Sequence, residues 1–378
     1  MLFCRKRFML ITTLIVALLV AAFFLFMRRA VFGADPATTR LERILTSPNY
    51  KNGSFQNREL TNVMAKDASN MGLLRDYWNR SPDNEPKQPL PSVKTDLRAL
   101  PGPHRRTGGT ADSLPTLIWF GHSAYLIKHK GFTVLMDPVF SGSASPVSLF
   151  GKAFPGADVY GPNDMPDIDL LVLSHDHYDH LDYLTISQLI PKVKRFVVSL
   201  GVGAHLERWG VSADKITELD WWEDTNLPSN VKITATPARH FSGRSFARGR
   251  TLWSSFVLDL PGYRIFLGGD SGYDKTFKEL GEKFGPFDLA ILECGQYNTM
   301  WPTIHMFPEE VVTAGQDLRA KAVLPVHWGK FALAYHSWTE PVERFTKQAN
   351  EVGFPYTTPR IGEPVVIGGT LPKTAWWK

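Results

Sequence analysis

Leu170-Leu171-Val172-Leu173-Ser174-His175-Asp176-His177-Tyr178-Asp179-His180 is the stretch on which the reading of this 378-residue chain turns. Its first four residues are an apolar run of strand length, and the polar residues that follow directly belong to the loop at that strand's end. Such loops are where a rigid scaffold presents ligating side chains. In an extended segment His175 and His177 fall on one side, while Asp179 and His180 arrive after the chain has turned, so one short loop can serve two adjacent cations. Zinc takes imidazole nitrogen and carboxylate oxygen well. A His-rich loop facing water is the plainer alternative, and ligand-type residues ending three further apolar runs argue against it.

Those runs close on Thr236-Pro237-Ala238-Arg239-His240, on Leu267-Gly268-Gly269-Asp270-Ser271-Gly272 and on Leu324-Pro325-Val326-His327-Trp328-Gly329. Singly, such a histidine is more often a satisfied core residue and such an aspartate a turn former. Together with the first loop they complete the donors that a pair of metals requires, and the glycines around Asp270 suit close approach of backbone to the site. Strands are predicted at 116–120, 124–127, 132–136, 169–173, 196–199, 231–235, 255–258, 264–267, 289–292 and 322–325. Helices are predicted at about 183–190, 203–209, 274–283, 308–319 and 340–352, with Pro308-Glu309-Glu310 a good first turn. Many strands with interspersed helices predict an α+β sandwich of two sheets flanked by helices over residues 114–378.

Hydrophobic types make up 43% of the chain and charged types 21%, which excludes intrinsic disorder. The net charge of +5 suggests an acidic partner, but Arg5, Lys6, Arg7, Arg28 and Arg29 all precede the first acid, Asp35. Without them Lys+Arg and Asp+Glu balance at 37 each, and no basic run is left to track phosphates, so nucleic acid is not expected as a partner. From Phe8 to Met27 the chain is apolar apart from Thr12 and Thr13, and as a helix it covers roughly 30 Å. This predicts an uncleaved single-pass anchor over 1–34, since a signal peptide's apolar region is shorter and Ala30-Val31-Phe32-Gly33-Ala34 is a poor cleavage site. Charge on either side of the span leans towards a catalytic body on the non-cytoplasmic, periplasmic side. Residues 35–113, rich in Pro, Asn and Arg, including Pro101-Gly102-Pro103, read as a polar linker and wrapping arm. Cys4 and Cys294 are far apart in sequence, and no structural disulfide is expected.

Around the metal motif stand Trp119-Phe120-Gly121-His122, Thr133-Val134-Leu135-Met136-Asp137-Pro138, Leu219-Asp220-Trp221-Trp222-Glu223, Gly269-Asp270-Ser271-Gly272-Tyr273, Phe284-Gly285-Pro286-Phe287-Asp288-Leu289-Ala290 and His327-Trp328-Gly329-Lys330-Phe331-Ala332-Leu333-Ala334. With these strings, residues 115–345 resemble the metallo-β-lactamase-fold hydrolases, and within them the N-acylphosphatidylethanolamine-hydrolysing phospholipase D branch. The resemblance implies an αβ/βα sandwich with a dizinc cleft at its edge. It places His175, His177 and His240 on one Zn2+, Asp179, His180 and His327 on the other, and Asp270 between them. It further implies cleavage of a phospholipid phosphodiester to phosphatidate and an N-acylethanolamine by a dizinc-bound hydroxide, and a possible homodimer. Asp179 and Asp270 would then be catalytic as well as ligating, and His305, before the Pro-Glu-Glu helix start, matches a family histidine able to touch the phosphate or a ligand, with a structural hydrogen bond at the helix entrance as its equal alternative.

His122 and Asp137 lie in family-like strings too, but strand-end turns account for them better than ligation. His104, His129, His205 and His336 have no motif support and are expected at the surface or in packing. Trp221 and Trp222 are expected in the core, while the tail Ala375-Trp376-Trp377-Lys378 has a composition suited to a bilayer interface. The loop from Phe140 to Phe150 is a candidate wall for an apolar substrate route. Two other functions compete: a metal-dependent hydrolase of a soluble phosphodiester or sugar-acid lactone on the same site, and a non-catalytic metal-binding envelope protein. The second would have no need of seven correctly typed ligand positions.

Overall fold

Leu170 to Leu173 form a strand, and its burial explains why the run is apolar without alternation: Leu170 and Val172 join one core, Leu171 and Leu173 another. A strand covered on both faces must be apolar on both. The computed structural model describes residues 2–100 and 114–378, so Pro101-Gly102-Pro103 and His104 lie outside the described residues.

The chain starts with α1 (Leu2–Met27), α2 (Thr38–Thr46), a hairpin of β1 (Tyr50–Lys51) and β2 (Ser54–Phe55), and α3 (Asn70–Trp78). Next, β3 (Thr116–Trp119), β4 (Tyr125–His129) and β5 (Phe132–Met136) pair antiparallel, and β6 (Leu170–Leu173) joins β5 in parallel. Through α4 (Tyr183–Leu189) the chain crosses to β7 (Phe196–Ser199), and through α5 (Gly203–Arg208) to β8 (Ile216–Leu219), both again parallel. The second sheet starts with the antiparallel strands β9 (Asp224–Leu227), β10 (Val231–Pro237), β11 (Ser254–Leu260) and β12 (Tyr263–Leu267). It gains β13 (Leu289–Glu293) in parallel through α6 (Thr276–Phe284), and β14 (Val323–Val326) through α7 (Pro308–Asp317). After α8 (Glu340–Glu351), β15 (Pro364–Val366) returns to pair with β3. The sheets have seven and six strands, ordered β15-β3-β4-β5-β6-β7-β8 and β14-β13-β12-β11-β10-β9.

Three cores stack as layers. Trp119, Ile127, Val134, Val172, Ile233, Phe256, Leu267 and Ile291 fill the space between the sheets. Ile118, Leu126, Leu135, Leu171 and Val198 meet Ile186 and Leu189 of α4 on one outer face. On the other, Phe266, Ala290, Leu292 and Val323 meet Phe277 of α6, Val311 of α7 and Phe345 of α8. This is the predicted two-sheet sandwich with helices outside. The edge strands β8, β9 and β15 escaped prediction, because Ile216–Leu219 and Asp224–Leu227 carry charged and half-exposed residues in place of an apolar run.

Two aromatic expectations are corrected. Trp377 is buried and Trp376 stacks on Trp328 at 5.2 Å with 17° between the rings, so the tail closes the inter-sheet core behind His327 instead of facing a bilayer. Stacked indoles gain contact and quadrupole energy, about 0.5–1.5 kcal/mol per pair, that an exposed tail forgoes. Trp221 is buried as expected, but Trp222 sits at φ 75° and is 36% exposed, with the cations of Arg58 and Lys283 over its ring.

Ahead of the sandwich, α1 includes Lys6–Met27, long and apolar enough to cross a membrane and buried nowhere along that length. Such a helix serves as an anchor or as a signal sequence. The segment that follows packs on the body: Ile44 of α2 and Phe55 of β2 are buried with Leu200, Trp221 and Trp253. Sequence reasoning passed over α2 although Leu41, Ile44 and Leu45 stand at helical spacing, because the helix is only nine residues long in a polar stretch and buries Ile44 alone.

Candidate metal centre

Each candidate donor stands just beyond the end of a strand, and the parallel strands bring these ends to one edge of the sandwich. His175, His177, Asp179 and His180 follow β6, His240 follows β10, Asp270 follows β12 and His327 follows β14. After His177 the chain turns, with the amides of His180 and Leu181 both donating to the His177 carbonyl, and this swings Asp179 and His180 away from the first two histidines. Asp270 reaches the same edge because Gly269 adopts φ +61°, and a Cβ there would lie 2.9 Å from Ser174 Cβ, so a side chain would push the two loops apart.

Two buried groups result. His175, His177, His240 and Asp270 form one, and His122, Asp179, His180 and His327 the other, with Asp270, His305 and His327 also mutually close. His177 Nδ1 lies 2.9 Å from His175 Nε2 and 3.2 Å from His240 Nε2. Nitrogens bound tetrahedrally to one zinc at about 2.0–2.1 Å stand about 3.3 Å apart. Asp270 lies between the groups, its Oδ2 3.2 Å from His180 Nε2 and 3.7 Å from His240 Nε2, its Oδ1 3.2 Å from His327 Nδ1. All seven predicted ligand residues and His305 are thus brought to one place.

Outward hydrogen bonds leave the inward atoms free for a cation. His240 Nδ1 donates to the Ile304 carbonyl at 2.9 Å, and His180 Nδ1 to Asp137 Oδ2 at 2.8 Å. His175 Nδ1 contacts Ser174 Oγ, which in turn donates to Asp137 at 2.6 Å. In the neutral tautomers this selects, the other nitrogens, Nε2, keep their lone pairs. Buried His180 Nε2, His327 Nε2 and Asp270 Oδ1 have no hydrogen-bond partner. Orphaned inward atoms are costly unless something binds them, so the donor set fits metal.

The electrostatics agree. Burial holds His175, His240 and His327 well below the usual imidazole value, favouring the neutral ligand form. Burial alone would raise Asp270, but His180 and His327 hold its carboxyl well below the usual range. Burial likewise opposes charge on His180, yet Asp270 and Asp179 lift it well above. A proton on His180 Nε2 and a divalent cation therefore compete for one place.

Sequence reasoning assigned too little to His122 and Asp137. Both are turn residues as expected, at φ 52° and 40°, but both also touch the donors. His122 Nε2 lies 2.9 Å from Asp179 Oδ2, and Asp137 tethers His180 directly and His175 through Ser174. His327 is left-handed too, at φ 67°, and its amide donates to the His122 carbonyl while the His122 amide donates to Trp328. Strained backbone concentrates where side chains must be aimed. The available signal was the polar residue directly after an apolar strand in Met136-Asp137. Asp137→Ala is expected to weaken metal retention about 10–100-fold with the seven ligands intact; dialysis against graded chelator followed by metal counting checks it.

Glu293, at the end of β13, was also missed. It is fully buried and accepts from His305 Nδ1 at 3.0 Å and from the Met306 amide at 3.2 Å. Burial works against the His305 imidazolium, but the facing Glu293 carboxylate outweighs it and lifts the pKa to about 9.

Asp176, between the candidate donors His175 and His177, is pinned by the Gly243 amide at 2.7 Å and by His205 Nε2 at 3.3 Å. His205 Nδ1 in turn accepts from the Ala34 amide at 3.0 Å. Nearby, Arg244 donates to the carbonyls of Asp176 and Leu181, both at 2.7 Å, and to Val31. The residues just after α1 are therefore built into the support of the ligand loop. Gly33, at φ +70°, permits this, because a Cβ there would fall 2.0 Å from His205 Nδ1.

Above the donors opens a cavity of about 290 Å³. His177, Asp179, Asp270, His305 and His327 contribute its polar floor, and Val63, Met64, Phe241, Trp301 and Leu333 its apolar wall. The Phe140–Phe150 loop takes no part, contrary to expectation. Its base is fastened elsewhere, the Phe140 amide donating to Thr185 of α4 and Lys330 Nζ to Val139, while Leu149 and Phe150 point to solvent.

Residues 133–328 match the family model described as the β-lactamase superfamily domain. An uncharacterized protein of Mycobacterium tuberculosis is 39% identical over 356 residues, covering 92% of each chain. The N-acyl-phosphatidylethanolamine-hydrolyzing phospholipase D 1 of Caenorhabditis elegans is 35% identical over 264 residues, 65% of this chain and 72% of the relative. Among solved structures, the metallo hydrolase Igni18 of Ignicoccus hospitalis superposes with a TM-score of 0.51 at 22% identity, covering 68% of this chain and 99% of that one.

Proposed function

Since the chain belongs to the β-lactamase superfamily, as a metal-dependent hydrolase of the metallo-β-lactamase fold, we propose that it is a membrane-anchored phosphodiesterase of the phospholipase D type. Its substrate would be N-acylphosphatidylethanolamine or a related glycerophospholipid, and α1 would be retained as a single-pass anchor. The observation that carries this is a two-metal donor set under an apolar-walled cavity in a chain 35% identical to a phospholipase of that specificity. His175, His177 and His240 would hold one divalent ion, Asp179, His180 and His327 the other, and Asp270 both; zinc suits these donors. Bound there, two such ions lower the pKa of a water and neutralise phosphate oxygens.

The chain's own residues do the rest. Asp137 and the Ile304 carbonyl hold the ligand rings in the useful tautomer. Val63, Met64 and Trp301 offer apolar contact to the substrate's chain and keep bulk water from the phosphate. As water oxygen adds to phosphorus and the bond to the ethanolamine oxygen breaks, that oxygen needs a proton. His305, kept protonated by Glu293 on Nδ1, has Nε2–H left to give. His305→Ala is therefore expected to lower kcat about 10²-fold with unchanged metal content, which steady-state kinetics alongside metal counting would show.

The deciding assay uses the full chain, because residues 31–34 support the ligand loop. Purified protein with its zinc counted is incubated in mixed micelles with N-acylphosphatidylethanolamine, phosphatidylcholine and a soluble aryl phosphodiester, and products are identified by mass. Chelator-sensitive release of phosphatidate and N-acylethanolamine is expected. Turnover of the soluble ester alone would retain the metal hydrolase and discard the lipid substrate in favour of a soluble phosphodiester or lactone.

A further inference from the structure

The last turns of α1 run beside the loop that follows His240. Phe246, in that loop, is 85% exposed, and its ring lies 6.1 Å from the ring of Phe23 in α1. Phe23 precedes the end of α1 at Met27 by four residues, about 6 Å along the axis. The loop tip therefore stands level with the apolar part of α1, below Arg28 and Arg29, which close it. Two residues beyond the tip, at most about 7 Å of extended chain, exposed Arg248 lines the metal cavity.

The junction between α1 and the body is tied down. Trp209 Nε1 donates to the Ala30 carbonyl at 2.7 Å, Arg208 to Arg28 at 2.6 Å, and Arg244 to Val31 at 2.8 Å. Whatever plane α1 is inserted in is thereby fixed relative to the cavity mouth. The surface there is layered: an exposed phenylalanine at the tip, then the exposed cations Arg28, Arg29, Arg208 and Arg248. That order matches acyl chains below and anionic headgroups above.

Resting on the reading of α1 as a retained anchor and of the substrate as a phospholipid, we propose that the loop tip, residues 245–247, is embedded in the leaflet at the C-terminal end of α1. This brings the mouth of the metal cavity to the headgroup plane, where Arg248 binds lipid phosphate. A lipid then reaches the donors from the bilayer without crossing water.

The test places a polarity-sensitive fluorophore on full-length protein with Cys4→Ser and Cys294→Ala, reconstituted into vesicles of phosphatidylethanolamine and phosphatidylglycerol. Labels sit at Phe23→Cys, at Phe246→Cys or, on the strand turn at the far end from the donors, at Lys130→Cys. With doxyl groups on the acyl chains, labels at 23 and 246 are expected to lose most of their emission and the label at 130 to keep it. Arg248→Gln is expected to raise KM for vesicle phospholipid several-fold, and an unchanged KM overturns its contact with lipid phosphate. A quenched label at 23 with an aqueous one at 246 overturns the proposal and spares the anchor; aqueous labels at both overturn anchor and proposal together. Because depth is read without turnover, two quenched labels on a protein that hydrolyses no phospholipid support the loop's placement and overturn the substrate reading alone.

Discussion

Asp270→Asn is expected to reduce turnover by on the order of 10³-fold or more, beyond the 10–100-fold typical of an outer-shell partner. Among the described residues Asp270 is the one carboxylate within 3.2–3.9 Å of donors in both groups, and it faces four imidazoles. An asparagine keeps the shape and the hydrogen-bonding reach but carries no charge, and one of its two heads is a donor aimed at donors. Metal content is expected to fall towards one ion per chain, while circular dichroism stays near that of the parent because no backbone contact is lost. His177→Ala should behave alike, through loss of the nitrogen nearest both His175 and His240. An Asp270→Asn enzyme within about 10-fold of the parent would end the two-metal reading.

Arg244→Met should be strongly destabilising although Arg244 lies outside the donor set. Arg244 is 4% exposed, and its guanidinium hydrogen bonds end on the carbonyls of Asp176, Leu181 and Val31. Met leaves these acceptors buried without a donor, at about 1–3 kcal/mol for each that water cannot reach. Because Asp176 and Leu181 flank the ligand turn, the melting temperature and metal retention should fall together. Arg244→Lys should recover only part of the loss, since one ammonium cannot fork to three acceptors as a planar guanidinium does. Equal melting temperatures for Arg244→Met and the parent would mean that the α1 junction does not support the ligand loop.

The residues of the buried His/Asp cluster were legible in the sequence because they sit in short strings after apolar runs, and strand ends converge when strands are parallel and neighbouring. The sandwich was legible for the same reason: Leu170–Leu173, Leu289–Glu293 and Val323–Val326 are apolar on both faces. Edge strands such as Ile216–Leu219 were not, because one open face and charged side chains erase the pattern. The aromatic tail misled because composition cannot distinguish Trp376 at a bilayer surface from Trp376 stacked on Trp328.

By itself, then, the sequence determined the candidate donors, the two-sheet scaffold and the presence of an apolar helix, all properties of residue type and local spacing. Tertiary structure decided what touches those donors across long separations. Asp137 beneath His180, Glu293 behind His305, His205 capped by the Ala34 amide and Phe246 beside Phe23 each join residues that no local pattern relates. The physical reason is that hydrogen bonds and ring contacts act over a few ångströms in space, so a polar residue's role is fixed by the neighbours that folding brings to it.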